Sequence, residues 1–153
     1  MLTITLLTVG TIKEAYLQLG IQEFSKRIKT FAHLTMTEVK ESSFDSPLLA
    51  LKEEGERIEK ALPQDGYKVV MAIEGTTYTS VQLSQQLQKI QQTHSHLVLI
   101  IGGSHGVSDT IKKQAHALWS FSALTFPHQL FRLMVIEQIY RGLSILAHHP
   151  YHK

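Results

Sequence analysis

The clearest chemical signal in the chain is a glycine-rich segment, Gly102–Gly106, that directly follows the apolar run 97–101. A second apolar segment leads into the motif 122–128, which contains Pro127. Strands that end in glycine-rich or proline-bearing turns leave backbone N–H and C=O groups free at the carboxyl edge of a sheet, where open α/β sheets bind ligands. We therefore expect these two segments to form a site for a small polar ligand that is recognised by backbone atoms.

The glycine-rich segment does not complete a known nucleotide-binding motif. It lacks the Lys and Ser/Thr of a P-loop and the full G-x-G-x-x-G pattern of dinucleotide-binding folds. Taken alone, a tight strand-to-helix turn that needs positive φ is an equally good interpretation. As a binding site, it suits a ligand with polar edges, such as an adenine or a carboxylate, better than a triphosphate.

Polar side chains also interrupt the apolar segment 130–146 at helical spacing. Glu137, Arg141, Ser144 and His148 lie at i, i+4, i+7 and i+11, so they share one face of a helix. A Glu four residues before an Arg is also a routine helix-stabilising pair, worth about 0.2–0.5 kcal/mol. In a mostly apolar helix, a shared polar face indicates a polar neighbour.

The chain ends in three histidines, a proline, a tyrosine and a lysine, at 148–153. Pro150 breaks the helical spacing, and no Asp, Glu or Cys lies nearby to complete a coordination shell, so we expect no metal site. The tail is then either simply exposed or suited to stacking on a base and contacting phosphate. His105 and His128 flank the predicted ligand site, but single histidines are more often ordinary hydrogen-bonded residues than catalysts.

The elements that must position these groups alternate between strands and helices, which predicts an α/β fold with a mainly parallel sheet and flanking helices. Segment 40–47 lacks periodicity and is predicted to be a mobile loop. The charged run 52–59 is expected to face mostly water and to do no chemistry. Strands are predicted over 2–9, 34–39, 67–73, 97–101 and 118–124, and helices over 13–30, 48–62, 79–92, 108–117 and 128–147.

Length, composition and charge limit the kinds of protein that this chain can be. The 153 residues, 43% hydrophobic and 18% charged, suffice for one domain spanning 1–153. The absence of cysteine excludes disulfides and a thiol nucleophile. No signal peptide and no apolar run of about 20 residues is present, so we expect a soluble cytoplasmic protein without a membrane partner. Residues 71–153 carry six Lys and Arg against three Asp and Glu, which permits a nucleic-acid partner without demanding one.

The last helix, 128–147, carries apolar residues almost all round. Its sheet can cover one side, and we expect a second copy of the chain to cover the other, giving a two-fold homodimer. The alternative is a central helix buried within its own domain.

Four motifs in order then resemble one family, the small bacterial SPOUT-class methyltransferases of the RlmH type, which methylate N3 of a pseudouridine in large-subunit ribosomal RNA. The resemblance covers the whole chain. The motifs are Ile101–Gly106, Ser120–His128, Val135–Arg141 and His149–Lys153.

The resemblance implies an α/β domain whose C-terminal part forms a trefoil knot, a homodimer, and S-adenosylmethionine bound in the knot. We expect Gly102 and Gly103 to be glycines because a Cβ would intrude on the cofactor. Carried onto this chain, the cofactor-binding residues are Met71, Gly102, Gly103, Phe121, Ser122, Ala123, Leu124, Thr125 and Phe126.

Methylation of N3 requires that its proton leave and that the base be held. Residue chemistry suggests Glu137 or His152 as proton acceptor and Arg141 as stabiliser of the anion, unless the proton is lost to water once an Arg has lowered its pKa. Tyr151 is expected to stack on the base. Arg132 is expected to contact phosphate, with His128 and Lys153 also at the RNA. A noncatalytic ribosome- or RNA-binding module and a SPOUT enzyme acting on transfer RNA are the alternatives.

Overall fold

The computed structural model describes all 153 residues. Strands and helices alternate along the chain. The strands are β1 (Leu2–Val9), β2 (Ala32–Val39), β3 (Tyr67–Thr77), β4 (His96–Ile101) and β5 (Ala117–Ser120), and the helices are α1 (Ala15–Ile28), α2 (Pro47–Ala61), α3 (Ser80–Thr93), α4 (Asp109–Gln114) and α5 (His128–Leu146).

The five strands form one sheet in the order β2-β1-β4-β3-β5, and every neighbouring pair is parallel. This confirms the predicted α/β fold with a parallel sheet and flanking helices. All five carboxyl ends therefore point to the same edge, and β3, β4 and β5 are adjacent there. The turns that follow β4 and β5 are thereby brought together, although 15 residues separate the two strands along the chain.

Two element ends differ from their predictions around β5. The predicted strand 118–124 stops at Ser120, whose partner Thr77 is the last residue of β3, so no strand remains for the following residues to pair with. The predicted helix 108–117 ends at Gln114, because β5 already begins at Ala117. The apolar segment 121–127 is consequently a loop at the carboxyl edge of the sheet.

The two faces of the sheet are covered by separate helix layers. Helices α1, α3 and α5 pack on one face around the larger core cluster, which includes Leu6, Leu87 and Ile136. Helices α2 and α4 cover the other face through Ile58 and Ile111. None of the helices is long and apolar enough to cross a membrane.

Helix α5 lies against the sheet between α1 and α3, which changes the interpretation of its apolar circumference. Ile136 and Ile139, each 2% exposed, are buried in the core of their own chain. Two helices of the same chain flank α5, so most of its apolar circumference is covered as in the alternative of a helix buried within its own domain. The homodimer itself stays a prediction. What remains open is a narrower outer face, formed by Leu130, Met134, Glu137, Arg141 and Ile145.

Candidate functional site

A cavity of about 780 Å³ opens at the carboxyl ends of β3, β4 and β5. Cavities of this size commonly hold small-molecule ligands. It is lined by eight of the nine residues predicted to hold the cofactor; Ala123 alone does not line it. The eight are Met71, Gly102, Gly103, Phe121, Ser122, Leu124, Thr125 and Phe126.

The glycine-rich segment forms a tight reverse turn on one wall of this cavity. The N–H of Gly106 donates to the carbonyl of Gly103 at 3.0 Å, and Gly106 has φ +82°. A Cβ added to Gly102 would lie 2.2 Å from the Gly106 carbonyl oxygen, and one added to Gly103 would meet Val9 at 3.1 Å. The packing of the turn itself therefore requires glycine at 102 and leaves little room for a side chain at 103. That a Cβ would also intrude on the cofactor stays a prediction.

The opposite wall is the loop after β5. Its backbone is held by Ser122, whose carbonyl accepts from the Ser120 hydroxyl at 3.1 Å and whose Oγ accepts from the N–H of Leu124 at 3.0 Å. The rings of Phe121 and Phe126 pack against Phe131 of α5, with centroids 5.7 and 6.2 Å away. The loop therefore presents aromatic surface to the cavity.

Several lining residues were not predicted from the sequence. Trp119 is the penultimate residue of β5 and Phe131 lies in the first turn of α5, so their apolar character indicated only core positions. His128, predicted to contact RNA, also lines the cavity. At the rim, the Lys112 Nζ lies 2.6 Å from Glu74 Oε1, and this hydrogen bond lowers the pKa of the Glu74 carboxyl.

A second polar site lies on the outer face of α5, where the four residues predicted to be catalytic come together. The Arg141 guanidinium donates to Glu137 Oε1 through Nε at 3.1 Å and Nη2 at 2.7 Å, and the Tyr151 hydroxyl donates to the same oxygen at 2.9 Å. The Arg141 Nη1 donates to His152 Nδ1 at 3.1 Å. We call Glu137, Arg141, Tyr151 and His152 the C-terminal cluster.

The contacts of this cluster do not support Glu137 or His152 as proton acceptors. Glu137 Oε1 already accepts three hydrogen bonds, and Oε2 accepts one from Gln138 at 2.8 Å. Arginine can only donate, so His152 Nδ1 must accept, which places the ring proton of the neutral imidazole on Nε2. The two residues therefore hold Arg141, whose guanidinium lies 4.7 Å from the centre of the Tyr151 ring.

Tyr151 is held in its neutral form by this arrangement. Burial raises the pKa of its hydroxyl, and the hydrogen bond to Glu137 raises it further. Because the folded-state pKa lies above the ordinary value, the contribution of Tyr151 to stability is complete below the unfolded-state pKa and is lost as the pH rises through the folded-state value.

We expect an ultraviolet titration of tyrosinate to show this directly. Tyr151→Phe should remove a tyrosine from the late, alkaline part of the curve, and Glu137→Gln should move that tyrosine earlier because it removes the acceptor charge. A Tyr151→Phe curve that instead loses its earliest tyrosine would contradict the assignment.

Arg132 occupies a different environment from the one predicted. It is 5% exposed, and it donates to Glu38 Oε2 at 2.5 Å and to the carbonyl of Gly10 at 3.0 Å. The guanidinium thus ties α5 to the ends of β1 and β2, and the expected phosphate contact is corrected to a structural role. Lys153 is exposed at the chain end. Ser144 is fully buried and donates to the Arg141 carbonyl at 2.8 Å, so it does not extend the polar face.

Comparison with known proteins decides the family. A family model described as "Predicted SPOUT methyltransferase" matches residues 2–152. The chain belongs to this SPOUT methyltransferase family. It is 41% identical over 153 residues to a Caldicellulosiruptor saccharolyticus protein and 45% identical over 157 residues to one from Bifidobacterium adolescentis, both named ribosomal RNA large subunit methyltransferase H. Each match covers 98% of this chain and 99% of the relative.

A solved structure shows a similar fold in a more distant protein. It is described as a probable methylase family protein from Haemophilus influenzae, with a TM-score of 0.54 and 12% identity, and the match covers 99% of this chain and 70% of the other. Membership of the SPOUT family implies a methyl donor. The cavity, which joins the two loops that carry the resemblance, is the place where this structure could hold one.

Proposed function

We propose that this chain transfers a methyl group from S-adenosylmethionine to N3 of a pseudouridine in large-subunit ribosomal RNA. The observation that carries the proposal is the cavity at the carboxyl edge of the sheet, lined by the glycine turn and the loop after β5, in a chain whose full-length relatives are named ribosomal RNA large subunit methyltransferases. The resemblance to the RlmH family supplies the pseudouridine and the position of the methyl group.

The cavity fits the chemistry of this donor. Met71, Trp119 and Phe121 supply apolar surface for an adenine, and the glycine turn and the loop after β5 supply backbone groups for its polar edges. S-adenosylmethionine, when bound, supplies an electrophilic methyl group on a sulfonium. The residues of this chain would bind the donor, exclude water from it and orient it toward the base.

The C-terminal cluster is suited to handle the base. A neutral imide is a poor nucleophile, so N3 must lose its proton before it accepts a methyl group. Arg141 carries a fixed positive charge that favours the deprotonated base, and Glu137 and His152 hold its guanidinium in place. With both of these side chains engaged, the proton passes to solvent. The neutral ring of Tyr151 lies beside Arg141 and offers a surface for stacking.

This proposal requires a homodimer in which one chain supplies the cavity and its partner supplies the cluster. None of the four cluster residues lines the cavity of its own chain. The cluster instead lies on the outer face of α5, which also carries the half-buried Met134 and the exposed Leu130. Pairing two copies through this face covers its apolar residues and carries each cluster to the other chain.

Sedimentation tests the dimer. Met134→Glu places a charge at the centre of the outer face and should convert the dimer to a monomer, because burying an unpaired carboxylate is costly. Leu48→Glu is the matched control: Leu48 is 78% exposed on α2, in the opposite helix layer, and its change should leave the dimer intact. A wild-type chain that sediments at 17.3 kDa at micromolar concentration would refute the dimer.

The activity is tested with labelled S-adenosylmethionine and two RNA substrates, assembled ribosomes and transfer RNA. We expect label to enter assembled ribosomes, at N3 of a pseudouridine in the large-subunit RNA. Label that enters transfer RNA instead would favour a different SPOUT specificity. Donor binding that is absent in calorimetry, together with binding of RNA, would identify a noncatalytic RNA-binding module.

A further inference from the structure

One buried ionisable group is not used by the proposed chemistry. Glu54 lies in the charged run of α2 that was expected to face mostly water, yet it is 3% exposed. This residue is an exception because Glu54 falls midway between the buried Ala50 and Ile58, at spacings of four, on the face that α2 turns to the sheet. A glutamate on such a face needs partners.

Only one of its two carboxylate oxygens has a partner. Glu54 Oε2 accepts from the backbone N–H of Ser42 at 2.9 Å. Oε1 is buried and accepts no hydrogen bond. It lies beside the glycine turn, 3.5 Å from where a Cβ on Gly103 would be. An unpaired buried carboxylate oxygen is rare in native proteins and costs free energy, so it marks a place where a donor is required.

Helix α2 also packs against the residue that follows the C-terminal end of the turn. A Cβ added to Gly55 would lie 2.7 Å from the hydroxyl of Ser108, the residue that caps α4 just after the turn. Consecutive residues of α2 thus contact Gly103 at the start of the turn and Ser108 beyond its end. Helix α2 therefore packs closely along this segment, and the backbone of the turn is a neighbouring source of a donor for Glu54 Oε1.

We propose that Glu54 is a positioning residue for the glycine turn: when the methyl donor occupies the cavity, a backbone N–H of the turn donates to Glu54 Oε1. This inference rests on the proposed function, which assigns the methyl donor to the cavity. One side of the turn lines that cavity, and its other side faces Glu54. The buried carboxylate then stabilises the bound form of the turn and raises the affinity for the donor. Glu54 touches neither donor nor RNA and acts only through the backbone.

The substitution Glu54→Gln tests the hydrogen bond to the turn without removing the hydrogen bond from the Ser42 N–H. The amide oxygen can keep accepting from the Ser42 N–H, but the amide nitrogen then faces Gly103 and cannot accept from the turn. Calorimetry with S-adenosylhomocysteine, the stable product, should show about tenfold weaker binding, the order expected for one hydrogen bond to a charged acceptor. In steady-state assays the KM for S-adenosylmethionine should rise, while kcat and the KM for ribosomes stay within about twofold.

Glu56→Gln is the matched control, since Glu56 is exposed on the same helix and loses the same charge. Its affinity should equal that of the wild type. A folded Glu54→Gln protein with wild-type affinity overturns the inference and leaves the proposed function standing. A wild-type protein that does not bind S-adenosylhomocysteine overturns both.

Carbon-13 labelling of glutamate in the wild-type protein provides a second measurement, which does not depend on the Glu54→Gln variant being folded. If that variant folds, the signal missing from its spectrum assigns the Glu54 carboxylate. If the variant does not fold, sequential assignment along the backbone of α2 identifies the Glu54 carboxylate. Titration with S-adenosylhomocysteine should shift this carboxylate signal together with the amide protons of Ser104 or His105, and should leave the Glu56 carboxylate unmoved. A Glu54 signal that stays fixed at saturation overturns the inference.

Discussion

Gly102→Ala is expected to abolish measurable binding of S-adenosylmethionine while the rest of the domain stays folded. The added Cβ would lie 2.2 Å from the Gly106 carbonyl oxygen and 2.4 Å from its carbon. These are backbone atoms, so no side-chain rotation can relieve the collision, and the turn must open. Because that turn forms one wall of the cavity, its backbone groups would no longer face the donor, which calorimetry measures directly.

Gly142→Ala controls for the general cost of replacing a glycine. Its Cβ would meet the end of the flexible Leu87 side chain at 2.7 Å, between α5 and α3 and outside the cavity lining. This variant should lose stability in thermal unfolding yet keep its affinity for the donor. If Gly102→Ala binds as tightly as Gly142→Ala, the glycine turn is not part of the site.

The sequence was sufficient to predict the sheet because its strands are short, apolar and separated by amphipathic helices. Val98 and Ile100 face one helix layer while Leu97 and Leu99 face the other, as expected of a parallel strand covered on both sides. The capping box of α3 was also visible, since Thr79 and Gln82 stand at the required spacing; their reciprocal bonds of 2.9 and 3.1 Å confirm it.

Features that depend on pairing between distant segments were harder to predict from the sequence. The run 121–124 has the apolar character of a strand, but whether it pairs depends on how far β3 extends, which local sequence does not specify. The apolar circumference of α5 shows that the helix must be covered. It does not specify whether helices of the same chain or of a second chain cover it, and here α1 and α3 cover most of it.

For the site as well, the location of the cavity was predictable from the sequence, whereas the roles of the catalytic groups were not. Glycine and loop motifs located the cavity because strand ends converge by topology. The catalytic groups were identified by type, but their protonation roles depend on contacts across 11 to 14 residues, such as those of Arg141 with His152 and Glu137 with Tyr151. Glu54 was recoverable in principle, since its spacing from Ala50 and Ile58 placed it on a buried face. The knot implied by the resemblance stays a prediction.

Arg141→Met is expected to lower methyl transfer to ribosomes by about 10²- to 10³-fold, the range observed when one donor that stabilises a developing negative charge is removed. Methionine keeps much of the length of the side chain while removing the charge. Affinity for S-adenosylmethionine should be unchanged, because the proposed role of Arg141 is toward the base and not toward the donor, whose cavity it does not line in its own chain. The loss should therefore appear in kcat or in the KM for ribosomes, and a loss confined to donor binding would contradict the assignment.

Mixed dimers of Arg141→Met and Gly102→Ala chains show which chain each Arg141 serves. In such a dimer the only intact cavity is on the Arg141→Met chain and the only intact C-terminal cluster is on the Gly102→Ala chain. If each cluster acts on the partner's cavity, these two parts form one complete site, and the mixed dimer should recover about half the activity of the wild type, whereas each variant alone stays nearly inactive. If each cluster acts on its own cavity, the mixed dimer has no complete site. Two different affinity tags isolate the mixed species, and its inactivity despite verified composition would place Arg141 beside the cavity of its own chain.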